Sequence, residues 1–207
     1  MDTLQEILKN KIVAIIRGVE PDDVLKISDA LYKGGIRALE ITFNSPNAME
    51  VLRELAVRMG DKMLIGMGTV LDAATARTAI ESGAKFIISP SLDIGTIQET
   101  KRLGAVSMPG ALTPTEILTA YKAGADIVKV FPASGNYNYI REVRAPLSHI
   151  PLMPTGGVDL DNIRHFKEAG AVAFGIGSSL VNSKEKVTDA SLANLIHKAQ
   201  QFLQAIN

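Results

Sequence analysis

Hydrophobic positions change their period repeatedly along the chain, and this alternation predicts strands and helices in turn. Short runs rich in β-branched residues are separated by stretches of roughly 10–15 residues with apolar positions at three- and four-residue spacing. The predicted strands are Ile12–Ile16, Ala38–Phe43, Met63–Met67, Phe86–Ser89, Ala105–Met108, Asp126–Phe131, Pro151–Pro154 and Val172–Gly175. Strands that alternate with helices in this way are typical of a parallel sheet.

Glycine follows most of the predicted helices. It is succeeded by a small or apolar residue and then by a predicted strand, as at Gly35, Gly83, Gly104, Gly124 and Gly170. A glycine just past a helix end takes the left-handed conformation without steric cost, so these positions mark helix ends. Their regular recurrence indicates that one β-α unit is repeated along the chain.

The repeated unit favours a closed sheet. Eight strands that alternate with helices close into a barrel more readily than they stay open, so we expect a single-domain (β/α)8 TIM barrel over residues 1–207. A doubly wound open sheet is the alternative. However, the Gly-x-Gly-x-x-Gly motif of a dinucleotide-binding fold does not follow the first strand. No linker or low-complexity segment divides the chain.

Composition narrows the classes of function. The 207 residues are 46% hydrophobic and carry 22 basic and 22 acidic side chains, so no basic stripe is available for nucleic acid or a membrane surface. No apolar stretch is long enough to span a bilayer, and the N-terminus lacks the parts of a signal peptide, so we expect a cytoplasmic protein. Cysteine is absent and the three histidines match no metal motif, so we expect neither a metal nor a cofactor.

Lys129 interrupts a run, residues 126–131, that otherwise predicts a buried strand. Burying an ammonium without a partner is unfavourable, so the pKa of such a lysine falls, and a neutral amine is a nucleophile towards carbonyls. A strand-end lysine whose stem packs while its head reaches water explains the segment equally well. The choice between the two depends on the residues around it.

Polar residues, glycines and prolines are concentrated where the predicted strands end. In TIM barrels, the active site lies at this end of the strands. These residues are Arg17, Glu40, Thr42, Asn44, Gly68, Thr69, Ser89, Pro90, Pro109, Gly110, Lys129, Thr155, Gly156, Gly157, Gly177, Ser178 and Ser179. A period of two puts Glu40 on the face opposite Leu39 and Ile41, so it should point into the barrel. There it could be paired with Lys129 as a structural ion pair or take part in a reaction.

Two glycine turns predict a phosphate site. Gly156-Gly157 and Gly177-Ser178 follow the last two strands, where barrels often bind phosphate through converging backbone N–H groups. Tight turning without a ligand is the alternative for either turn. The combination of these turns with a buried amine and a carboxylate favours an enzyme.

Over nearly the whole chain, the sequence resembles the class I 2-keto-3-deoxy-6-phosphogluconate (KDPG) aldolase family. That family includes 4-hydroxy-2-oxoglutarate (KHG) and 2-keto-3-deoxy-6-phosphogalactonate aldolases. The resemblance rests on Leu39-Glu40-Ile41-Thr42, Gly66-Met67-Gly68-Thr69-Val70, Val128-Lys129-Val130-Phe131-Pro132, Pro154-Thr155-Gly156-Gly157-Val158 and Gly177-Ser178.

The resemblance implies a lyase that cleaves KDPG to pyruvate and glyceraldehyde 3-phosphate, and it leaves open the cleavage of KHG to pyruvate and glyoxylate. It implies that Lys129 forms a Schiff base, that Glu40 moves protons and that Thr69 helps to hold the pyruvate carboxylate. The residues implied to wall the pocket or to bind phosphate are Pro90, Phe131, Thr155, Gly156, Gly157, Gly177 and Ser178. A homotrimer that binds a phosphorylated keto acid is implied as well.

One position departs from the family pattern. Well-known members have an arginine four residues after the glutamate to bind the pyruvate carboxylate, and this chain has Asn44 there. The Asn44-Ser45-Pro46 segment is similar to phosphogalactonate-type members, whereas Pro154-Thr155-Gly156-Gly157 is similar to the phosphogluconate type. Arg17 ends the neighbouring strand, so we expect it to supply the missing guanidinium. The alternative is a structural pairing of Arg17 with Glu20.

Two other functions compete with a Schiff-base aldolase. A metal-dependent aldolase would need several carboxylates or histidines at the mouth of the barrel, and only Glu40 is convincingly placed. A non-catalytic barrel that binds a phosphorylated ligand would account for the glycine turns. It would leave Lys129 within a buried strand unexplained.

Overall fold

A computed structural model of the protein describes residues 2–207. The strands are β1 (Ile12–Ile16), β2 (Ala38–Thr42), β3 (Leu64–Gly68), β4 (Phe86–Ile88), β5 (Val106–Met108), β6 (Gly110–Ala111), β7 (Val128–Val130), β8 (Leu152–Pro154) and β9 (Phe174–Ile176). The helices are α1 (Thr3–Asn10), α2 (Pro21–Lys33), α3 (Ala48–Met59), α4 (Ala73–Glu81), α5 (Ile94–Arg102), α6 (Pro114–Lys122), α7 (Tyr137–Arg144), α8 (Ile163–Glu168) and α9 (Asp189–Ile206).

The strands form one closed parallel barrel. Six pair in the order β5-β4-β3-β2-β1-β9, and three pair in the order β6-β7-β8. Only Pro109 separates β5 from β6, so these two make one barrel strand that is interrupted at a residue without an N–H. A parallel bridge between Thr155 and Gly175 joins β8 to β9 and completes the circle. The prediction of a (β/α)8 barrel is confirmed, and the open-sheet alternative is wrong.

Every predicted strand is found, with changes at its ends. The strand predicted to begin at Asp126 begins at Val128, because the N–H groups of Asp126 and Ile127 share the Ser107 carbonyl and so do not form a regular ladder. The Asp126 carboxylate accepts the Ser107 N–H at 2.8 Å and an Nζ–H of Lys101 at 2.7 Å. The short strand β6 after Pro109 was not predicted. All five glycines expected to end helices have positive φ, between 77° and 110°.

The core has an outer and an inner part. The larger part lies between the strands and the surrounding helices and includes Leu39, Ile41, Val128 and Val130. The smaller part fills the barrel itself. Its members are Ile7, Val13, Ala38, Phe86, Ile88, Val106, Met108, Ile127, Met153 and Ala173. Because Ile7 belongs to α1, the first helix closes the N-terminal end of the barrel and leaves the C-terminal end for the site.

The helices surround the barrel. Among residues 2–207, none of them has both the length and the apolar character needed to cross a membrane.

Candidate active site

Glu40 and Lys129 project into the barrel from opposite sides. Glu40 is central in β2 and Lys129 is central in β7, and these strands lie four positions apart around the eight-position barrel. Their neighbours at period two, Ala38 and Ile127, belong to the inner core. Both side chains are nearly inaccessible, with 1% of Glu40 and 3% of Lys129 exposed. The barrel therefore places a carboxylate and an amine inside one apolar enclosure.

The Glu40 carboxylate has room only because its neighbour is glycine. Gly68 at the end of β3 approaches the carboxylate so closely that a Cβ there would overlap it. Within the described part of the chain, the buried Oε2 atom of Glu40 has no hydrogen-bond partner. A buried polar atom without a partner is destabilising, so this oxygen is suited to a substrate or water that enters the barrel.

Burial shifts both groups towards their neutral forms. It raises the pKa of the Glu40 carboxyl, and the charges of Lys129 and Arg17 counteract only part of that rise. It lowers the pKa of the Lys129 amine, Glu40 opposes the change, and Arg17 adds to it. The Lys129 Nζ also lies 4.6 Å from the centre of the Phe131 ring. A lysine with a lowered pKa is a stronger nucleophile at neutral pH, because more of it is uncharged.

Above the two groups, a cavity of about 530 Å³ opens at the C-terminal end of the barrel. Arg17, Lys129 and Phe131 line it, as do both glycine turns. The Gly156-Gly157 turn has positive φ at both residues, 84° and 74°. A Cβ on Gly157 would lie 2.8 Å from the Gly135 nitrogen, so a side chain would not fit there. The cavity thus joins a buried amine with a lowered pKa to two glycine turns.

Comparison with known proteins identifies the family to which this sequence belongs. The family model for KDPG and KHG aldolase matches residues 4–195. The chain belongs to this family. Like the other members, it is an aldolase and therefore a lyase.

Relatives of this aldolase carry two substrate names. A 2-dehydro-3-deoxy-6-phosphogalactonate aldolase from Escherichia coli is 34% identical, over 86% of this chain and 88% of the relative. A 2-dehydro-3-deoxy-phosphogluconate aldolase from Haemophilus influenzae is 35% identical, over 88% of each. The solved native KDPGal structure has a TM-score of 0.88 and 32% identity, over 94% of this chain and 93% of that one.

Arg17 lies at the rim of the aldolase cavity, and a hydrogen bond fixes the chain next to it. Gly18, which follows Arg17, donates its N–H to the Ser45 Oγ at 2.9 Å. Ser45 in turn shares a hydrogen bond of 2.9 Å with the Oγ1 of Thr42 at the end of β2. The loops after β1 and β2 are therefore tied together beside the cavity. No ion pair between Arg17 and Glu20 is present in the described residues.

Four predicted site residues lie outside the lining of the cavity. One is Glu40, which is buried inside the barrel, and the other three are Asn44, Thr69 and Pro90. Asn44 is exposed on the loop after β2. Thr69 is half-buried after β3 and has a φ of 58°, a left-handed conformation that is strained for threonine. Pro90 packs against Gly110 so closely that a Cβ on that glycine would overlap the proline carbonyl. Roles for these three in substrate binding stay predictions.

The cavity also includes residues that sequence reasoning missed. They are Ile15, Val158, Asp159, Gly175, Val181 and Ser183, whereas Ser179 was expected at this end of the barrel. Ile15 shares the inward face with Arg17 at a spacing of two, so the sequence did contain a signal for it. The others lie in loops or at a strand position whose facing has no apolar alternation to reveal it.

Proposed function

We propose that the protein is a class I aldolase that cleaves KDPG through a Schiff base on Lys129, with Glu40 as the proton carrier. The observation that carries this proposal is the buried Lys129 amine, which has a lowered pKa and lines an open cavity. Inside the same barrel lies the buried Glu40 carboxylate, whose Oε2 atom has no hydrogen-bond partner in residues 2–207. A structural ion pair would bring the two groups into contact, and no such pair occurs in residues 2–207.

The reaction begins when the Lys129 amine adds to the C2 keto carbon, and loss of water gives a protonated imine. Glu40, directly or through a water molecule, accepts the proton of the C4 hydroxyl. The C3–C4 bond then breaks, its electron pair moves into the imine, and glyceraldehyde 3-phosphate leaves an enamine of pyruvate behind. Protonation at C3 and hydrolysis of the imine release pyruvate and free the lysine.

The two ends of the substrate need different partners. Arg17 is suited to the carboxylate, because guanidinium and carboxylate form paired charge-assisted hydrogen bonds. The glycine turns are suited to the phosphate, through the N–H group of Gly157 and the hydroxyl of Ser178. Phe131 and Thr155 wall the cavity between these two regions.

The 2-keto-3-deoxy-6-phosphogalactonate epimer is the second candidate substrate. The Escherichia coli relative named for that substrate and the Haemophilus influenzae relative named for the gluconate epimer differ by only one percentage point in identity to this chain, 34% against 35%. Within the chain, Thr155 stands in the segment that resembles the gluconate type and Asn44 in the segment that resembles the galactonate type. Values of kcat/KM for both epimers and for KHG would rank the three substrates.

The rival functions have less support. A metal-dependent aldolase needs a ligand cluster, and residues 2–207 contain no group of three or more His, Asp or Glu side chains that could hold an ion. A non-catalytic phosphate-binding barrel does not explain why a buried carboxylate without a partner lies opposite a buried amine. Both groups destabilise the fold, and phosphate binding alone requires neither.

Borohydride reduction in the presence of pyruvate tests the proposal directly. We expect mass spectrometry to find the reduced pyruvate adduct on Lys129, and we expect Lys129→Ala to stay folded without any adduct. An adduct that persists in Lys129→Ala, or wild-type protein that is never trapped, would refute the mechanism.

Assembly into homotrimers is a further part of the proposal. Four exposed apolar side chains follow four neighbouring positions of the barrel: Phe43, Leu71, Ile94 and Leu112. Exposed apolar side chains on neighbouring loops favour a protein interface at this part of the surface. Light scattering should give three chains per particle, and Leu71→Asp should reduce that number.

A further inference from the structure

The carbonyl oxygens of the Gly156-Gly157 turn and of the residues on either side of it all accept hydrogen bonds. The bonds are Ala133 N–H to Thr155 O at 2.8 Å, Ser134 N–H to Gly156 O at 2.9 Å, Asn162 Nδ2–H to Gly157 O at 2.7 Å and Ser179 Oγ–H to Val158 O at 2.6 Å. Two of these donors are backbone groups, and two are the side chains of Asn162 and Ser179.

Holding a carbonyl also aims the next N–H, because the two groups of a trans peptide point in opposite directions. The bonds to Thr155, Gly156 and Gly157 oxygens therefore orient the N–H groups of Gly156, Gly157 and Val158. The Gly156 N–H belongs to the parallel bridge between Thr155 and Gly175. Within residues 2–207, the N–H groups of Gly157 and Val158 donate no hydrogen bond. Two free donors on consecutive residues contribute to a concave anion site.

Asn162 controls one of these donors. Its Nδ2–H donates to the Gly157 carbonyl, and its Oδ1 accepts the Asp159 N–H at 3.0 Å. The bond to the Gly157 carbonyl fixes the peptide group that carries the Val158 N–H. Asp159 in return accepts the Asn162 N–H at 3.0 Å. The Asn162 side chain is thus fixed at both ends and cannot rotate away without breaking two bonds.

Ser179 connects the two turns to each other. It follows Ser178 in the loop after β9, and its hydroxyl reaches across to the Val158 carbonyl in the loop after β8. This bond is a direct side-chain link between the loop of Gly177-Ser178 and the loop of Gly156-Gly157. Without it, the two halves of the phosphate site would be positioned by their strands alone.

We propose that Ser179 and Asn162 are positioning residues for the substrate phosphate, which act through the backbone of Gly157 and Val158. The inference rests on the proposed function, and it adds two residues that hold the site without forming the reactive centre. Their loss should weaken recognition of the phosphate and leave the formation of the imine with pyruvate unchanged.

The chain offers a matched control for each variant. Ser28 donates its hydroxyl to the Val24 carbonyl at 2.8 Å within α2, so Ser28→Ala removes a similar bond far from the cavity. Asn10 donates its side-chain amide to the Glu6 carbonyl at 2.8 Å in α1, so Asn10→Ala is the counterpart of Asn162→Ala. Ser179→Thr retains the hydroxyl and is the conservative variant.

Three measurements on the full-length protein test the proposal. They are the Kd of inorganic phosphate by calorimetry, the KM of the better phosphorylated substrate, and the pyruvate concentration that half-saturates borohydride trapping. We expect Ser179→Ala and Asn162→Ala each to raise the first two by about tenfold and to leave the third unchanged. Ser179→Thr, Ser28→Ala and Asn10→Ala should match the wild type in all three.

Two results would overturn the proposal. One is an unchanged phosphate Kd in both variants, and the other is an equal rise in the KM and in the half-saturating pyruvate concentration, as a general loss of structure would produce. Failure of the proposed function gives a separate signal, namely wild-type protein that traps no pyruvate. The phosphate Kd values would then still decide whether Ser179 and Asn162 hold an anion site.

Discussion

The two ends of the barrel interior have opposite characters. At the N-terminal end, Ile7 of α1 joins Val13 and Ala173 in a buried cluster of apolar side chains. Towards the C-terminal end, the interior holds Glu40 and Lys129 under an open cavity of about 530 Å³. Both regions are buried, so burial alone does not distinguish residues that stabilise the fold from the two residues that we propose to react.

The difference lies in what each buried side chain has as a partner. Apolar side chains at the closed end stabilise the fold, because burial removes their surface from water. Glu40 and Lys129 lose hydration without forming a contact pair, and this loss is what moves their pKa values towards neutral forms. We therefore expect substitutions at the two ends to separate stability from activity.

The largest effect is expected for Lys129→Met, which keeps the length of the side chain and removes the amine. Aldol cleavage and pyruvate trapping should be lost. The free energy of unfolding should rise by about 1–3 kcal/mol, because a buried amine without a hydrogen-bond partner is replaced by an apolar group. Chemical denaturation measures the second effect. A less stable Lys129→Met protein would mean that the amine stabilises the fold.

Ile7→Ala makes the reciprocal change at the closed end. Removing a fully buried isoleucine that seals the barrel should lower the free energy of unfolding by about 2–5 kcal/mol. At temperatures where this variant remains folded, kcat and the trapping of pyruvate should stay near wild-type values. A loss of activity without a loss of stability would contradict the division between the two ends.

Arg17→Met tests the rim of the cavity, where we propose that the guanidinium holds the pyruvate carboxylate. Loss of a paired charge-assisted contact should weaken pyruvate binding by about 3 kcal/mol. Adding Asn44→Arg should restore part of the affinity, because it returns the arginine to the position that well-known family members use. Normal kinetics in the single variant would exclude this role for Arg17.

The smallest effect is a shift in pH dependence. The Glu40 charge holds the Lys129 pKa up, so Glu40→Gln should lower that pKa further and move the acid limb of pyruvate trapping to lower pH. The Arg17 charge holds the same pKa down, so Arg17→Met should move the limb to higher pH. Shifts in the same direction would show that charge does not govern the amine.

The sequence predicts the barrel and the facing of Glu40, because both follow from the local periodicity of apolar residues. The inward facing of Glu40 came from a period of two, and the barrel came from the repeated strand and helix unit. The contacts of Ser179 and Asn162 with backbone carbonyls did not follow. They depend on how two loops meet, and residues 21 positions apart, such as Val158 and Ser179, leave no periodic trace. The short strand β6 was not predicted for a different reason, because the proline before it normally ends a strand.

The sealing of the barrel by α1 has a consequence for the order of folding during synthesis. This helix is translated before the strands of the barrel, yet Ile7 belongs to the same buried cluster as Ala173, which is translated after β8. Strand β1 likewise pairs with β9, the last strand of the barrel in chain order. The first helix therefore cannot reach its final site on a partly made chain, and it must wait for the last strand to leave the ribosome. Contacts over such long sequence separations also slow folding, because a large loop must close before they form.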